Sequence, residues 1–286
     1  MNVKNAVYGA IIGDVAGSRF EFNPIKNKNF DLFYSFSGKG YDVNQTLEDY
    51  FKSSKFTDDT VMTIAVSNAL IEANGDYSNL REIVVKNLKY FGRKYPYRGY
   101  GSKFQQWLNW DLNKPYNSFG NGSAMRISSV PYLANSIDEV KRLSKMVTDV
   151  THNHPEGIKG AEAVAVSIWM ALHNYTKEDI RKEVENNYYN LDYDYNELLK
   201  TYTHDETCQN SVPQSIYAFL ISTDYEDCIR TAISMGGDAD TMACIAGSIA
   251  GAYYGVPSDL QNQVLNFLPD EFVDIISNIN SINKWL

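Results

Sequence analysis

Cysteine is scarce, with three residues in 286, at Cys208, Cys228 and Cys244. An odd number without C-x-x-C spacing excludes a disulfide framework and a zinc knuckle, leaving buried reduced thiols. Long apolar runs are missing too. None reaches the roughly 18 residues of a membrane span, and the apolar stretch from Ala6 to Gly17 is broken by Asp14 and preceded by Lys4 rather than a basic segment. A cytoplasmic protein without a membrane span is the expectation. Nor is there excess positive charge: 26 Lys and Arg against 35 Asp and Glu give a net charge of −9. With no local basic patch, the phosphates of a nucleic acid meet net repulsion, which argues against such a partner. Only 18 Gly and 8 Pro, alongside 44% hydrophobic and 21% charged residues, exclude collagen-like and disordered classes.

What is present is helical periodicity. Val61, Ile64, Ala65 and Ala69 fall on one helical face, as do Val140, Leu143, Val147 and Val150, and again Phe272, Ile275, Ile276 and Ile279. Capping patterns Ser136…Glu139, Thr223…Glu226 and Ser258…Gln261 mark helix starts. Strand signals are poor, and the segment Asn29 to Tyr41, rich in Gly, Ser and Asp, reads as a loop. Further loops are expected at Lys94 to Gly101, Asn113 to Gly122 and His204 to Val212, none long or biased enough to be an interdomain linker. The length allows one large or two modest domains, and the absence of a linker favours a single domain over residues 1–286. The expected fold is all-α, a compact orthogonal multi-helix bundle. Two stretches of small residues, Gly9 to Gly17 and Ala246 to Ala252, read as central helices whose backbones approach closely, because glycine inside a helix needs a packing reason. The segment Asp192 to His204 is polar and aromatic and carries no interpretable motif.

Thr57, Asp58, Asp59 and Thr60 directly precede an apolar helical stripe. Alone, they are ordinary helix N-terminal electrostatics. A second such cluster, Gly236 to Thr241, again places Thr beside Asp at a helix start, where paired glycines permit close approach to a ligand or ion. Were the two starts to meet, they would form an all-oxygen site suited to Mg²⁺ or Mn²⁺ rather than zinc. The segment Asn117 to Arg126 reads as a Gly/Asn turn or as a cradle for a diphosphate, with Phe119 available to stack on a base. Arg126 is open to a structural ion pair or a ligand contact. His152 and His154 open another helix, and Glu21 alone reads as a surface acid.

Taken together, Gly13-Asp14, Glu21, Thr57 to Thr60, Gly120 to Arg126, Thr151-His152 and Gly236 to Thr241 resemble, in order and over nearly the whole chain, the ADP-ribosylglycohydrolase family. The resemblance implies an all-α fold with a central dinuclear Mg²⁺ or Mn²⁺ cleft that holds ADP-ribose. It implies hydrolysis at the anomeric carbon of the distal ribose, releasing ADP-ribose from a modified protein or small molecule; a monomer is the expectation. Carried over, it makes Thr57, Asp58, Asp59, Asp238, Asp240 and Thr241 metal ligands, with Glu21, Asp58 and Asp240 the catalytic set. It gives Ser118, Phe119, Gly120, Asn121 and Gly122 to the diphosphate and adenine, and His152 to the distal ribose. Nitrogenase-regulating members carry Asp in the equivalent loop, whereas Ser118 stands in a context similar to the ADP-ribosylserine hydrolase branch, which tilts the expected acceptor toward an O-linkage. A two-metal phosphoesterase or pyrophosphatase, and a catalytically silent ADP-ribose binder, are the competing functions.

Overall fold

The computed structural model describes residues 3–35, 49, 52–110 and 113–282. Among them no strand occurs, and one isolated β-bridge joins Gly120 to Thr207. The architecture is built on helices α1 (Val3–Gly17) and α11 (Ala239–Tyr254), each buried along nearly its whole length. A helix apolar on all sides belongs at the centre. Their backbones touch: a Cβ on Gly9 would lie 2.1 Å from the Gly247 carbonyl oxygen, and one on Gly13 would lie 2.1 Å from that of Ala243. Further along, Gly17 faces the backbone of Asp240 and Gly251 faces that of Asn5, so the two helices run antiparallel. The C-terminal end of α1, with Asp14, is thereby locked beside the N-terminal end of α11, with Asp240.

Helix α2 (Asp58–Ala73) packs against this pair, and α3 (Leu80–Lys94) packs against α2. α4 (Ser102–Asn109), α5 (Ile137–Thr148) and α6 (Pro155–Leu172) follow, with α6 packed on α5 and α11. The expected stripes are core faces. Val61, Ile64, Ala65 and Ala69 of α2 and Val140, Leu143 and Val147 of α5 have no exposure, and Val150 is buried just beyond the end of α5. In α13 (Asp270–Asn278) Phe272, Ile275 and Ile276 are buried, while Ile279 opens a 3₁₀ turn. Between these lie α7 (Lys177–Asn187), α8 (Tyr195–Thr201), α9 (Cys208–Ile221), α10 (Tyr225–Ser234) and α12 (Ser258–Val264). None of the described helices is long and apolar enough to cross a membrane. All three cysteines are buried and free.

Several local expectations shift. Ser136 caps α5, accepting from the Glu139 amide at 3.2 Å, but the Glu139 carboxylate turns to the Asn135 amide. For α10 the cap moves one residue on: Asp224 accepts from the Asp227 amide at 2.8 Å, because the carboxylate pair Asp224…Asp227 repeats the pattern read at Thr223…Glu226. Ser258 is not a cap. Pro257 precedes the helix and Gln261 reaches back to the Val256 carbonyl instead. The expected loop His204 to Val212 ends early, since α9 starts at Cys208 and carries Pro213 inside it. The segment without a motif contains α8, capped by Asp194 accepting from the Glu197 amide at 2.9 Å. The loop expected from Asn29 to Tyr41 holds over 29–35, and its remainder lies outside the described residues.

Candidate active site

Asp14 is fully buried near the C-terminal end of the apolar central helix α1. Four donors reach its carboxylate: the Thr57 amide at 3.0 Å, the Thr57 hydroxyl at 2.7 Å, the Thr60 amide at 3.0 Å and the Thr60 hydroxyl. It thus captures the first turn of α2, whose own unpaired amides need acceptors. Burial raises the pKa of Asp14, and these hydrogen bonds oppose the rise. Thr57 is the N-cap of α2 as its position implied, with its hydroxyl turned to Asp14.

Asp59 and Asp58 follow from the same helix start. Asp59 is 2% exposed; its Oδ2 accepts from the Thr241 hydroxyl at 3.1 Å, and its Oδ1 is buried with no partner. Asp58 is half-buried and lines the cleft, with Oδ1 facing Gly99 and its amide donating to the Arg98 carbonyl. From the opposite side, Gly236 and Gly237, at φ of 76° and 77°, turn the chain into α11. Side chains rarely adopt that left-handed conformation. A Cβ at Gly237 would also strike the Tyr202 ring. The turn presents Asp238, which accepts from Asn121 Nδ2 at 2.7 Å, and Asp240, which is 4% exposed.

Two carboxylate clusters result, Asp14 with Asp59 and Asp240, and Glu21 with Asp238 and Asp240. In each, one oxygen per residue lies within 4.8 Å of the others, and Asp240 belongs to both. Gathering these acids away from water is unfavourable. Burial, reinforced by the neighbouring carboxylates, pushes Asp58, Asp59 and Asp240 well above the carboxylate range. Burial and the charge of Asp240 push Glu21 up to about 8, and burial lifts Asp238 to about 6. An unpartnered buried oxygen on Asp59 and a donor set made only of oxygen fit a hard divalent cation.

Glu21, Asp59, Asp238 and Asp240 of these clusters form the floor of a cavity of about 280 Å³. Ser118, Gly120, Asn121, Gly122 and His152 form another wall of it. The loop is sewn to the chain before α9, with the Asn121 amide donating to the Glu206 carbonyl at 2.8 Å and the Cys208 amide to the Phe119 carbonyl at 3.0 Å. The Gly120 amide turns to Ser118 Oγ at 3.2 Å. Two of the amides read as a diphosphate cradle are therefore occupied within the protein. Phe119 stands outside the cavity lining, 42% exposed, with its ring 5.3 Å from that of His154. His152 is buried, its Nδ1 2.8 Å from the Thr151 hydroxyl, and burial holds its pKa well below the usual imidazole value.

Residues to which the sequence assigned no role also belong to the site: Tyr116 and Glu206 line the cavity, and Asp14 joins a carboxylate cluster beneath it. Asp14 carried a signal, a lone charge inside a central apolar run. Tyr116 and Glu206 lie in loops without periodicity and carried none.

A helical protein with a cleft of clustered carboxylates, whose oxygen-only donor set could hold a cation, beside a polar, glycine-bearing loop is what fold and site define together. A sequence profile of the ADP-ribosylglycohydrolase family matches residues 2–283, and the chain belongs to that family. Among relatives, ADP-ribosylhydrolase ARH3 of Homo sapiens is 27% identical over 314 aligned residues, covering 88% of this chain and 85% of the relative. ADP-ribosylhydrolase ARH3 of Gallus gallus is 26% identical over 315, with the same coverage of 88% and 85%. A solved chain described as "ADP-ribosylglycohydrolase-related protein complex" shares the fold at a TM-score of 0.71 and 20% identity, over 99% of this chain and 97% of that one.

Proposed function

We propose that the chain, acting as one domain over residues 1–286, is a divalent-cation-dependent hydrolase that cleaves the glycosidic bond at C1'' of ADP-ribosylated substrates and releases ADP-ribose. The observation that carries this reading is the pair of carboxylate clusters sharing Asp240 on the floor of the cavity walled by Ser118 to Gly122 and His152. Asp14, Asp59 and Asp240 would hold one Mg²⁺ or Mn²⁺, and Glu21, Asp238 and Asp240 a second, with Thr57, Asp58 and Thr241 completing the oxygen donors. Bound there, the cations supply positive charge that offsets the gathered carboxylates and polarises oxygen atoms of the substrate and water.

The protein's own groups do the rest. Asn121 fixes the Asp238 carboxylate, and the Thr241 hydroxyl fixes that of Asp59, so the floor is set before substrate arrives. The loop Ser118 to Gly122 holds the diphosphate, His152 orients the distal ribose, and Phe119, exposed at the rim, is free to cover adenine. Glu21 moves the proton between attacking water and leaving group while positive charge develops at C1''. Ser118, a neutral side chain at the loop, supports an O-linked acceptor.

The test is release of free ADP-ribose from arginine-linked, serine-linked and O-acetyl substrates, with Mg²⁺, Mn²⁺ or EDTA. EDTA-sensitive release, strongest from an O-linkage, is expected. AMP as the product would identify a phosphoesterase, and tight ADP-ribose binding without turnover a silent binder.

A further inference from the structure

Arg126 is 1% exposed and lines the cavity, yet it makes no ion pair among the described residues. A buried guanidinium is costly unless its donors are placed. Its Nη2 donates to the Thr151 hydroxyl at 2.8 Å and, more distantly, to the Val147 carbonyl at 3.5 Å. The Thr151 hydroxyl is in turn 2.8 Å from His152 Nδ1, and Arg126 and His152 are its side-chain partners among the described residues. Protons can be counted along this chain. Arginine carries donors only, so Thr151 Oγ1 accepts from Arg126. The hydroxyl has one hydrogen, and the acceptor within reach for it is His152 Nδ1. Were Nδ1 protonated instead, Oγ1 would face two donors and its own hydrogen would have nowhere to go.

We infer that Arg126 and Thr151 are positioning residues that lock His152 as a neutral imidazole with Nδ1 bare and hydrogen on Nε2. That hydrogen points where it is useful. Nε2 has no hydrogen-bond partner among the described residues and lies 3.4 Å from the place a Cβ would occupy on Gly122 and 3.8 Å from that on Gly120. Side chains there would fill the space in front of the imidazole, and glycine leaves it open. His152 is therefore an obligate single donor, and the ligand atom it meets must be an acceptor, a hydroxyl or phosphate oxygen rather than an ammonium group. The positive charge of Arg126 and burial both oppose an imidazolium. The Tyr116 ring, 6.0 Å from that of His152, packs against it, and burial raises its phenol pKa, so it adds no charge at neutral pH. The identity of the acceptor oxygen rests on the ADP-ribose reading; the locked tautomer does not.

Long-range ¹H–¹⁵N NMR of the unliganded full chain reads the tautomer, with His152 assigned by its loss in His152→Gln. The expected spectrum at pH 7 shows a bare Nδ1 and protonated Nε2, retained in Thr151→Ser and replaced by a tautomer mixture in Thr151→Val. Hydrogen on Nδ1 in the wild type, an imidazolium, or an unchanged pattern in Thr151→Val overturns the assignment. If Thr151→Val does not fold, the wild-type spectrum decides alone. In parallel, calorimetric titration with ADP-ribose should show affinity about tenfold weaker in Thr151→Val and rescued by Thr151→Ser, the size of one misplaced hydrogen bond. A wild type that binds no ADP-ribose overturns the ligand reading and the acceptor assignment, while the spectrum still decides the lock.

Discussion

Stripping divalent cations from the protein and restoring them should move its stability by an amount the site lets one work out. The clusters at Asp14, Asp59 and Asp240 and at Glu21, Asp238 and Asp240 exist only in the folded chain, because their members come from α1, from the segment just after it, from the start of α2 and from the N-cap and first turn of α11. A cation held there stabilises the fold by RT ln(1 + [L]/Kd), about 4 kcal/mol at a thousandfold excess over Kd. Unfolding entropy of about 2.1 cal/mol/K per residue gives about 0.6 kcal/mol/K for 286 residues. The melting temperature should therefore rise by about 7 °C for each cation bound, about 14 °C for the two, when saturating Mg²⁺ or Mn²⁺ is added to EDTA-treated protein. Asp240→Ala removes the ligand common to both clusters. In scanning calorimetry this variant should lose most of the rise, and its cation-free form should melt above the cation-free wild type, since a carboxylate buried among others has been removed. No cation-dependent shift in the wild type, or an undiminished one in Asp240→Ala, would refute the assignment of the floor as a cation site.

Two further perturbations separate the scaffold from the chemistry. Gly13→Ala places a Cβ 2.1 Å from the Ala243 carbonyl oxygen, well inside contact distance, so α1 and α11 must part by more than about 1 Å at a cost of about 1–3 kcal/mol. Denaturant unfolding should show that loss, and kcat should fall although no cleft side chain has changed, because Asp14 moves off Thr57 and Thr60; unchanged stability would contradict the backbone contact. For His152 the folded pKa lies well below the unfolded value of 6.5. Below pH 6.5 the unfolded state then binds the extra proton, so this residue's contribution is present above that pH and lost as pH falls, by up to about 1.4 kcal/mol per unit. His152→Gln should flatten the decline of stability between pH 6.5 and 5, measured by urea midpoints, and parallel declines would show that the imidazole is not held neutral.

The helices and their buried faces were legible because periodicity and burial share one cause. Val61, Ile64, Ala65 and Ala69 could be read as a core face without knowing what they pack against, and so could the small-residue helices. The two acidic helix starts were legible as carboxylate clusters that could meet, since carboxylates repeat there beside threonine and glycine, and the structure brings them together. What could not be read is whatever depends on which of several acceptors a donor chooses. Asp224 displaced Thr223 as a cap, the amides of Gly120 and Asn121 turned inward, and Phe119 sits outside the cavity lining. Asp14 lay within a recognised motif, but its role required knowing that α1 and α2 meet. The partnership of Arg126 with Thr151 and His152 likewise spans 25 positions between the arginine and the threonine, and no local pattern encodes it.

The bond that breaks is the centre of the account, and isotope tracing tests it most directly. A serine-linked ADP-ribosyl peptide is hydrolysed in H₂¹⁸O with Mg²⁺, and both products are weighed by mass spectrometry at early times. Cleavage at C1'' predicts intact ADP-ribose carrying the label and a peptide serine that keeps its own ¹⁶O. Label in the serine, or AMP carrying ¹⁸O on phosphorus, would contradict glycosidic cleavage.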